Sequence, residues 1–265
     1  MCGRYTMFAD DAELVNLFDI DVVEGEHKPS YNQAPSQVVR TVRTKSDERR
    51  QLGLMSWGLV PSWAKESFKP LINARAETVT EKPSFRTAVS KRRCLMPANG
   101  YYEWQKTADG RKQPWFLSLA TPDGHAAPLG AEPTMAMAGI FDWPNRRRDA
   151  QFRGEGQGPD VPGSLEAMGV QDAPADPPTC AIITREAADT LGEIHPRMPL
   201  FIPRSLWEPW LDMEFTDPEG LKELIASIPV APLAPRMVGP AVGNVRNNSP
   251  ELLAPYDPEE GLLLN

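Results

Sequence analysis

The feature that most limits the fold is a series of short apolar segments separated by turn residues. Their β-branched and aromatic content, with Gly, Pro, Asn and Asp between them, is typical of strands joined by turns. The sequence therefore predicts an α+β, β-rich fold with a barrel-like antiparallel sheet and short flanking helices, not a doubly wound α/β fold. The predicted strands are 38–42, 51–60, 93–98, 101–104, 115–119, 135–141 and 179–184.

Short helices are predicted where a capping residue precedes an apolar face. Asp10 can cap such a helix, and Glu13 follows three positions on, as in a capping box. Asp217 precedes Pro218, a residue suited to the first helical position. The predicted helices are 10–18, 84–89, 186–191, 205–211 and 218–227.

One long segment lacks periodicity. Residues 144–178 are rich in Pro, Gly, Asp and Glu, and a structureless connection of this length is uncommon inside a compact domain. We interpret the segment as an insertion loop between two strands, expected to be mobile, and not as a domain boundary. The prediction is one domain over residues 1–265, with an irregular tail from about residue 229.

Cysteine spacing and hydropathy exclude several classes of protein. Cys2, Cys94 and Cys180 are an odd, scattered set, which indicates reduced thiols and not a disulfide framework. Metal-ligand spacings and nucleotide-binding loops are absent, so no metal and no cofactor are expected. No apolar run reaches the roughly 20 residues that span a bilayer, and residues 1–11 do not read as a signal peptide. We expect a cytoplasmic protein without membrane contact, nucleoid-associated if it is bacterial.

The distribution of charge is uneven. The net charge is −8, which argues against broad nucleic-acid binding, yet residues 62–115 carry 11 basic and 5 acidic side chains. A local basic region of this kind can hold a polyanion even when the whole chain is acidic. A solvated charged face is the alternative.

The N-terminus holds an unusual nucleophile. If Met1 is removed, Cys2 carries both a thiol and a free α-amine. Their reference pKa values are about 8.5 and roughly 7.7–8.0, so both groups are partly deprotonated near neutral pH. A single cysteine at the second position can also occur by chance, without a functional role, so on its own it assigns no function.

Three other residues are candidates for acid/base or polar roles. Glu103 lies among aromatic residues, and the resulting desolvation should raise its pKa. His195 lies on a loop stiffened by two prolines, where an imidazole can act as acid or base. Asn73 and Arg75 are two apart and would share one face of a strand. Each of these residues, taken alone, is equally compatible with a structural role.

Eight motifs together resemble the SOS-response-associated peptidase (SRAP) family. They follow one another from residue 2 to about residue 250, so a chance match is excluded by their number and order. In chain order they are CGRY at 2–5, YNQAP at 31–35, WGLVPSW at 57–63, NARAET at 73–78, RRCLMPANGYYEW at 92–104, AGIF at 138–141, HPRMP at 195–199 and VRNN at 245–248.

The resemblance implies covalent capture of abasic sites in single-stranded DNA, and removal of Met1, either by the chain itself or by another enzyme. Cys2 would bond to the sugar aldehyde and close a thiazolidine ring. Glu103 would act as acid and base, His195 would help to open the sugar, and Asn73 would position the reacting groups.

The resemblance also implies a surface for single-stranded DNA and a monomeric protein. Arg4, Arg75 and Arg86 would hold phosphates, and Asn32 would line the site. The basic region 62–115 would supply much of the groove. Trp57 and Trp63 are expected to offer stacking surfaces for bases, with core packing as the alternative for each.

Two other functions stay open at this point. Cys2, His195 and Asn73 have the residue types of a Cys-His-Asn peptidase acting on other proteins. A DNA-binding module without covalent chemistry would use the same basic and aromatic residues.

Overall fold

A computed structural model describes residues 2–144, 177–188 and 191–257. Its strands are β1 (Tyr5–Met7), β2 (Val22–Val23), β3 (Ser30–Gln33), β4 (Val38–Thr44), β5 (Arg50–Trp57), β6 (Asn73–Arg75), β7 (Arg93–Ala98), β8 (Gly100–Lys106), β9 (Lys112–Leu119), β10 (Met135–Asp142), β11 (Thr179–Glu186), β12 (Arg197–Pro199) and β13 (Leu233–Met237). Its α-helices are α1 (Asp11–Phe18), α2 (Arg86–Lys91), α3 (Leu191–Ile194), α4 (Trp207–Leu211) and α5 (Pro218–Ser227). Single 3₁₀ turns lie at Ala76–Thr78, Arg204–Leu206, Pro240–Gly243 and Pro250–Leu253.

Five strands close into a ring in the order β5, β4, β7, β10, β11. Four of the pairings are antiparallel. The fifth is a short parallel pairing of β11 with β5, with Thr179 opposite Ser56 and Cys180 opposite Trp57. All of β10 is buried, because one face points into the ring and the other is covered. The ring confirms the predicted strand-rich, barrel-like α+β fold, although its closure is parallel.

A second sheet, in the order β13, β9, β8, β1, β3, packs beside the ring. The chain crosses from β7 to β8 through Asn99, whose side chain accepts the Phe8 N–H at 2.8 Å and donates to the Glu132 carbonyl at 3.0 Å. Gly100 follows, and a Cβ there would lie 2.3 Å from the Phe116 ring. Only glycine fits this crossing, which lays β8 against β1.

Trp57 lies in the core and not on a DNA-binding surface. Its side chain is fully buried, its indole N–H donates to the Ile72 carbonyl at 3.0 Å, and its ring meets Tyr5 edge-on at 5.2 Å. The expectation that Trp57 stacks on bases is therefore wrong, and the alternative of core packing is correct. The reason is its position at the end of β5, in the pairing that closes the ring.

Arg93 shows that the basic region 62–115 is only partly a surface feature. Its guanidinium is buried and donates to the carbonyls of Trp210 at 2.6 Å and Val89 at 2.8 Å, and also to those of Ser90 and Asp212. Burial lowers the pKa of Arg93 to about 10. These carbonyls come from the ends of α2 and α4, where a cation is favoured. Arg93 therefore supports the fold and contributes nothing to a groove.

Two predicted helix caps are present in the structure, whereas one predicted helix has different bounds. The carboxylate of Asp10 accepts the N–H of Glu13 and that of Asp217 accepts the N–H of Gly220, as predicted. The helix predicted over 186–191 starts too early, because β11 continues to Glu186, which lies opposite Arg197 of β12. The helix α3 is described from Leu191 to Ile194, and residues 189 and 190 lie outside the described residues.

Two further expectations concern the segments without periodicity. The tail from residue 229 is more regular than expected, since β13 pairs with β9 along its length and its proline sits on an edge strand. Most of the predicted insertion at 144–178 lies outside the described residues. No helix within the described ranges is long and apolar enough to cross a membrane.

The two tryptophans of the WGLVPSW motif should differ in their effect on stability. We expect Trp57→Ala to lower the free energy of unfolding by about 3–5 kcal/mol, because it opens a cavity in the core. Trp63→Ala should change it by less than about 0.5 kcal/mol, because Trp63 is 59% exposed. Urea denaturation of both variants checks this, and equal losses would contradict the assignment of Trp57 to the core.

Candidate functional site

Cys2 is fully buried just before β1, and an amide from another element holds it. Its carbonyl accepts a hydrogen bond from Nδ2 of Asn73 at 2.8 Å. Asn73 begins β6, which runs parallel to β11 with Asn73 opposite Ile182. The Oδ1 of Asn73 is buried and has no hydrogen-bond partner within the described part of the chain. The Asn73 side chain therefore lies beside Cys2, and its Oδ1 can still accept a hydrogen bond.

The thiol of Cys2 is held in its protonated form. Burial raises the pKa of this thiol well above its usual range, and the negative charge of Glu103 raises it further. A thiol in such surroundings is a weak nucleophile until a base takes its proton. The Cys2 thiol therefore needs a neighbouring base before it can act as a nucleophile.

Glu103 lies in the middle of β8, opposite Trp115 of β9, and is 4% exposed. Burial raises the pKa of Glu103 to about 7, as its aromatic neighbours predicted. A carboxyl group with this pKa can give and take protons near neutral pH, which is the property required of a general acid and base.

His195 lies between α3 and β12 and faces Glu103. Its Nδ1 is 3.8 Å from Oε1 of Glu103. The same nitrogen lies 3.0 Å from the N–H of Arg197 and 3.1 Å from the carbonyl of that residue. A neutral ring accepts the N–H at Nδ1 and so carries its proton on Nε2, whereas a protonated ring donates to the carbonyl. Burial lowers the pKa of His195, which favours the neutral ring.

The structure thus brings the four predicted catalytic residues into one group. Asn73 bonds to Cys2, Glu103 acts electrostatically on the thiol of Cys2, and His195 lies against Glu103. A bond from Gln105 to the carbonyl of Glu193 at 3.3 Å ties β8 to α3 behind them. The group can therefore give and take protons beside Cys2.

Arg4 and Asn32 form a support beside this group. Nη1 of Arg4 donates to Oδ1 of Asn32 at 2.7 Å and to the carbonyl of Val242 at 2.9 Å. Nδ2 of Asn32 donates to three carbonyls, those of Val242, Asn244 and Asn247. Asn32 is 2% exposed, so the expectation that it lines the DNA site is replaced by a structural role. Arg4 is only partly buried, and its guanidinium also lies over the Trp104 ring at 5.8 Å.

The other predicted DNA-binding residues are exposed but do not all lie together. Arg75 ends β6, two residues from Asn73. Trp63 is 59% exposed and meets Phe68 edge-on at 5.8 Å. Arg86 begins α2 and lines a depression with Thr87, Ser90 and Pro218, with none of the residues around Cys2. The structure does not group Arg86 with the site.

Sequence reasoning missed an ion pair next to His195. The guanidinium of Arg197 forms two hydrogen bonds to the carboxylate of Glu77, at 2.7 and 2.9 Å. Arg197 also donates to the carbonyl of Thr184 at 2.5 Å. Both charged residues lie inside recognised motifs, but the sequence carries no signal that the two motifs meet.

The fold and site define a class of protein: a single strand-rich domain in which a buried cysteine at the second position is bonded to an asparagine and lies near a glutamate that faces a histidine. The family model for the SOS response associated peptidase (SRAP) matches residues 1–245, and the chain belongs to this family.

Several relatives are similar over most of the chain. A Bacillus subtilis protein named abasic site processing protein YoqW is 33% identical over 96% of this chain and 99% of its own length. Abasic site processing protein HMCES of Pongo abelii is 31% identical over 86% of this chain and 66% of its own. A crystal structure from Bacteroides thetaiotaomicron is 20% identical, covers 97% of both chains and superposes with a TM-score of 0.64. At that identity the last similarity shows the fold alone.

The raised pKa of Glu103 predicts a dependence of stability on pH. The folded chain holds this proton up to about pH 7, whereas the unfolded chain loses it near the ordinary value of 4.5. Glu103 therefore lowers the free energy of unfolding as the pH rises through that window, by up to about 3 kcal/mol. We expect Glu103→Gln to be more stable than wild type at pH 8 and close to wild type at pH 4.5, measured by denaturation in urea.

Glu81→Gln is the matched control, because its carboxylate is 60% exposed and lies 3.4 Å from Lys222. It should show no such gain at pH 8. A Glu103→Gln variant whose stability follows that of wild type at every pH would contradict the assignment.

Proposed function

We propose that this protein captures abasic sites in single-stranded DNA by a covalent bond to Cys2. The observation that carries the proposal is the position of Glu103: its carboxyl group, with a pKa raised to about 7, acts on the Cys2 thiol and faces His195. Membership of the SRAP family and the names of the YoqW and HMCES relatives support the same activity.

The chemistry needs an aldehyde and the two nucleophiles of one residue. An abasic sugar opens to an aldehyde, and the α-amine of Cys2 adds to its carbon. Loss of one water gives an imine, as with catalytic lysines. The thiol then adds across the C=N bond: a C–S bond forms, and the nitrogen takes up a proton as a five-membered thiazolidine closes. Because both nucleophiles belong to one residue, closure is intramolecular and strongly favoured.

Each buried polar residue has a place in this sequence. Glu103 takes the proton of the Cys2 thiol and returns one to the departing oxygen or to the ring nitrogen. The neutral His195 donates a hydrogen bond from Nε2, which assists opening of the sugar. Asn73, fixed to the Cys2 carbonyl at 2.8 Å, offers its Oδ1 to the α-amine or to the reacting nucleotide.

Arg4, Arg75 and Trp63 are the residues that we assign to the DNA strand. Arg4 follows Cys2 by two residues, and Arg75 follows Asn73 by two, so both place a cation beside the reacting group. Trp63 provides an exposed ring for stacking on a base. A duplex would keep the lesion inside its stack, so single strands or junctions are the expected substrate, bound by a monomer. Binding through phosphates would weaken as salt rises.

Removal of Met1 is the other part of the proposal. The α-amine of Cys2 is locked in a peptide bond until Met1 leaves, so processing must precede capture. We assign the removal to the protein itself, with Glu103 and His195 as its proton-transfer groups. Mass spectrometry of the purified chain, wild type against Glu103→Gln, tests this assignment: self-processing predicts that Met1 is retained in the variant.

The arrangement argues against a cysteine peptidase acting on other proteins. Such an enzyme requires a thiol with a lowered pKa beside a histidine that an asparagine orients. Here burial raises the pKa of the Cys2 thiol, and Asn73 bonds to Cys2 while the backbone of Arg197 bonds to the histidine. A DNA-binding module without covalent chemistry would leave these buried polar groups without a use.

A crosslinking assay tests the proposed function directly. Met1-processed protein mixed with a single-stranded oligonucleotide that holds one abasic site should give a band of lower mobility on a denaturing gel. Without reduction Cys2→Ala should give none, because it lacks the thiol that closes the ring and its imine hydrolyses. Cys2→Ser should give a band only after borohydride reduction, because its imine forms but no stable ring follows.

Cys94→Ala removes another buried thiol and should retain the band, which makes it the matched control. An oligonucleotide without an abasic site should give no band with any variant. Absence of the band from processed wild type, or its persistence in Cys2→Ala, would refute covalent capture through Cys2.

A further inference from the structure

Two separate elements must be aligned for the site to work. Asn73, which holds Cys2, begins β6 and leads after four residues to Glu77 in the turn Ala76–Thr78. His195, which faces Glu103, lies between α3 and β12 and leads after two residues to Arg197. The two elements are far apart in sequence, and the Glu77–Arg197 ion pair joins them.

Arg197 holds His195 through its backbone and Glu77 through its side chain. Its N–H and its carbonyl lie 3.0 and 3.1 Å from Nδ1 of His195. Its guanidinium meets both oxygens of Glu77 at 2.7 and 2.9 Å and the carbonyl of Thr184 at 2.5 Å. A paired fork of this kind fixes both direction and distance. Movement of the Arg197 side chain would therefore move the groups that set the tautomer of His195.

Thr184 connects the same pair to β6. It is 1% exposed, and its hydroxyl donates to the carbonyl of Ala74 at 3.3 Å. In the sheet it lies opposite Arg75 of β6 and Pro199 of β12. The segment that holds Asn73 and the segment that holds His195 are therefore connected twice, once through Thr184 of β11 and once through the Glu77–Arg197 ion pair.

We propose that the Glu77–Arg197 ion pair fixes the orientation of the His195 ring relative to Asn73 and Glu103. The same pair sets which ring nitrogen of His195 carries the proton. Glu77 and Arg197 act here as positioning residues and touch no reacting atom. The inference rests on the proposed function for its kinetic consequence, but the state of His195 can be measured without DNA.

The location of the pair distinguishes this role from a stabilising one. The side chain of Glu77 is 50% exposed, and ion pairs with such exposed members contribute little to stability. A reaction geometry, in contrast, is sensitive to displacements of about 1 Å. Loss of the Glu77 charge should therefore slow the reaction much more than it destabilises the fold.

The direction of the electrostatic effect follows from the groups that face His195. Glu103 lies against it from β8 and Arg197 from β12. Burial lowers the pKa of His195, and the positive charges of the N-terminal amine and of Arg197 lower it further. Glu77 neutralises the charge of Arg197 in wild type. Without Glu77 the pKa of His195 should fall further.

The test compares Glu77→Gln with Glu81→Gln, an exposed glutamate paired with Lys222. Single-turnover crosslinking is measured from pH 5 to 9 with saturating abasic single-stranded DNA, together with the non-covalent Kd for an intact strand. Glu77→Gln should lower the rate constant by at least about 10-fold and move its histidine inflection to lower pH, with a Kd no weaker than that of wild type. Glu81→Gln should behave as wild type, and thermal unfolding of both variants corrects for any loss of folded protein.

An unchanged rate constant in Glu77→Gln would overturn the proposal. A higher rate constant with a tighter Kd would also overturn it, because Glu77 would then only compete with DNA for Arg197. Imidazole ¹⁵N shifts of His195 in the free protein provide a second readout, and they should report a lower pKa and loss of the single Nε2–H tautomer in Glu77→Gln. If processed wild type forms no crosslink, the proposed function fails, and these shifts decide the inference: a changed His195 supports it and an unchanged one overturns it.

Discussion

The site depends on the narrow crossing between the ring and the second sheet. At Asn99 and Gly100 the chain leaves β7 and enters β8 with a single residue between them, and a side chain on Gly100 would collide with the Phe116 ring. Because β8 then pairs with β1, Tyr101 lies opposite Tyr5 and the amide of Tyr102 donates to the carbonyl of Arg4 at 2.9 Å. This register brings the N-terminal residues alongside the carboxylate two positions further along β8. The pairing of β8 with β1, and not a contact between reactive side chains, is therefore what brings the site residues together.

Burial of the ionisable groups in the site shifts their pKa values, and it also lowers the stability of the fold there. Water stabilises the ionised forms of a carboxyl group, a thiol and an imidazole. Burial therefore moves the pKa of each group here, upward for Glu103 and Cys2 and downward for His195. All three shifts favour the neutral form. A site of neutral groups suits a reaction in which an amine, a thiol and a sugar oxygen exchange protons, and the hydrophobic ring around it supplies the compensating stability.

Much of the fold was predictable because its signals are local. The positions of β4, β5 and β7 to β11 follow from apolar and aromatic runs, and the caps of α1 and α5 follow from Asp10 and Asp217. The continuation of β11 to Glu186 and the strand β13 were missed, because each depends on a partner strand distant in sequence. For the site, the motifs predicted Cys2, Asn73, Glu103 and His195 as catalytic residues, and the structure brings these four residues together. The sequence does not show which polar and aromatic residues are buried, so the interior positions of Trp57 and Asn32 could be seen only in the structure. The ion pair between Glu77 and Arg197 was also missed, because it joins two motifs that are distant in sequence.

The separation of the site's parts along the chain has a consequence for biosynthesis. Cys2 is among the first residues to leave the ribosome, but Asn73, Glu103 and His195 follow far behind it, and the support under Arg4 is completed only at Val242. Contacts of such high sequence separation form late in folding. A nascent chain therefore carries Cys2 before the residues that surround it in the folded site are present, and the complete site forms only with the C-terminal third of the chain. Truncated translation products that stop before Val242 would lack part of the support around Cys2, so the assisted reaction is confined to chains that extend at least this far.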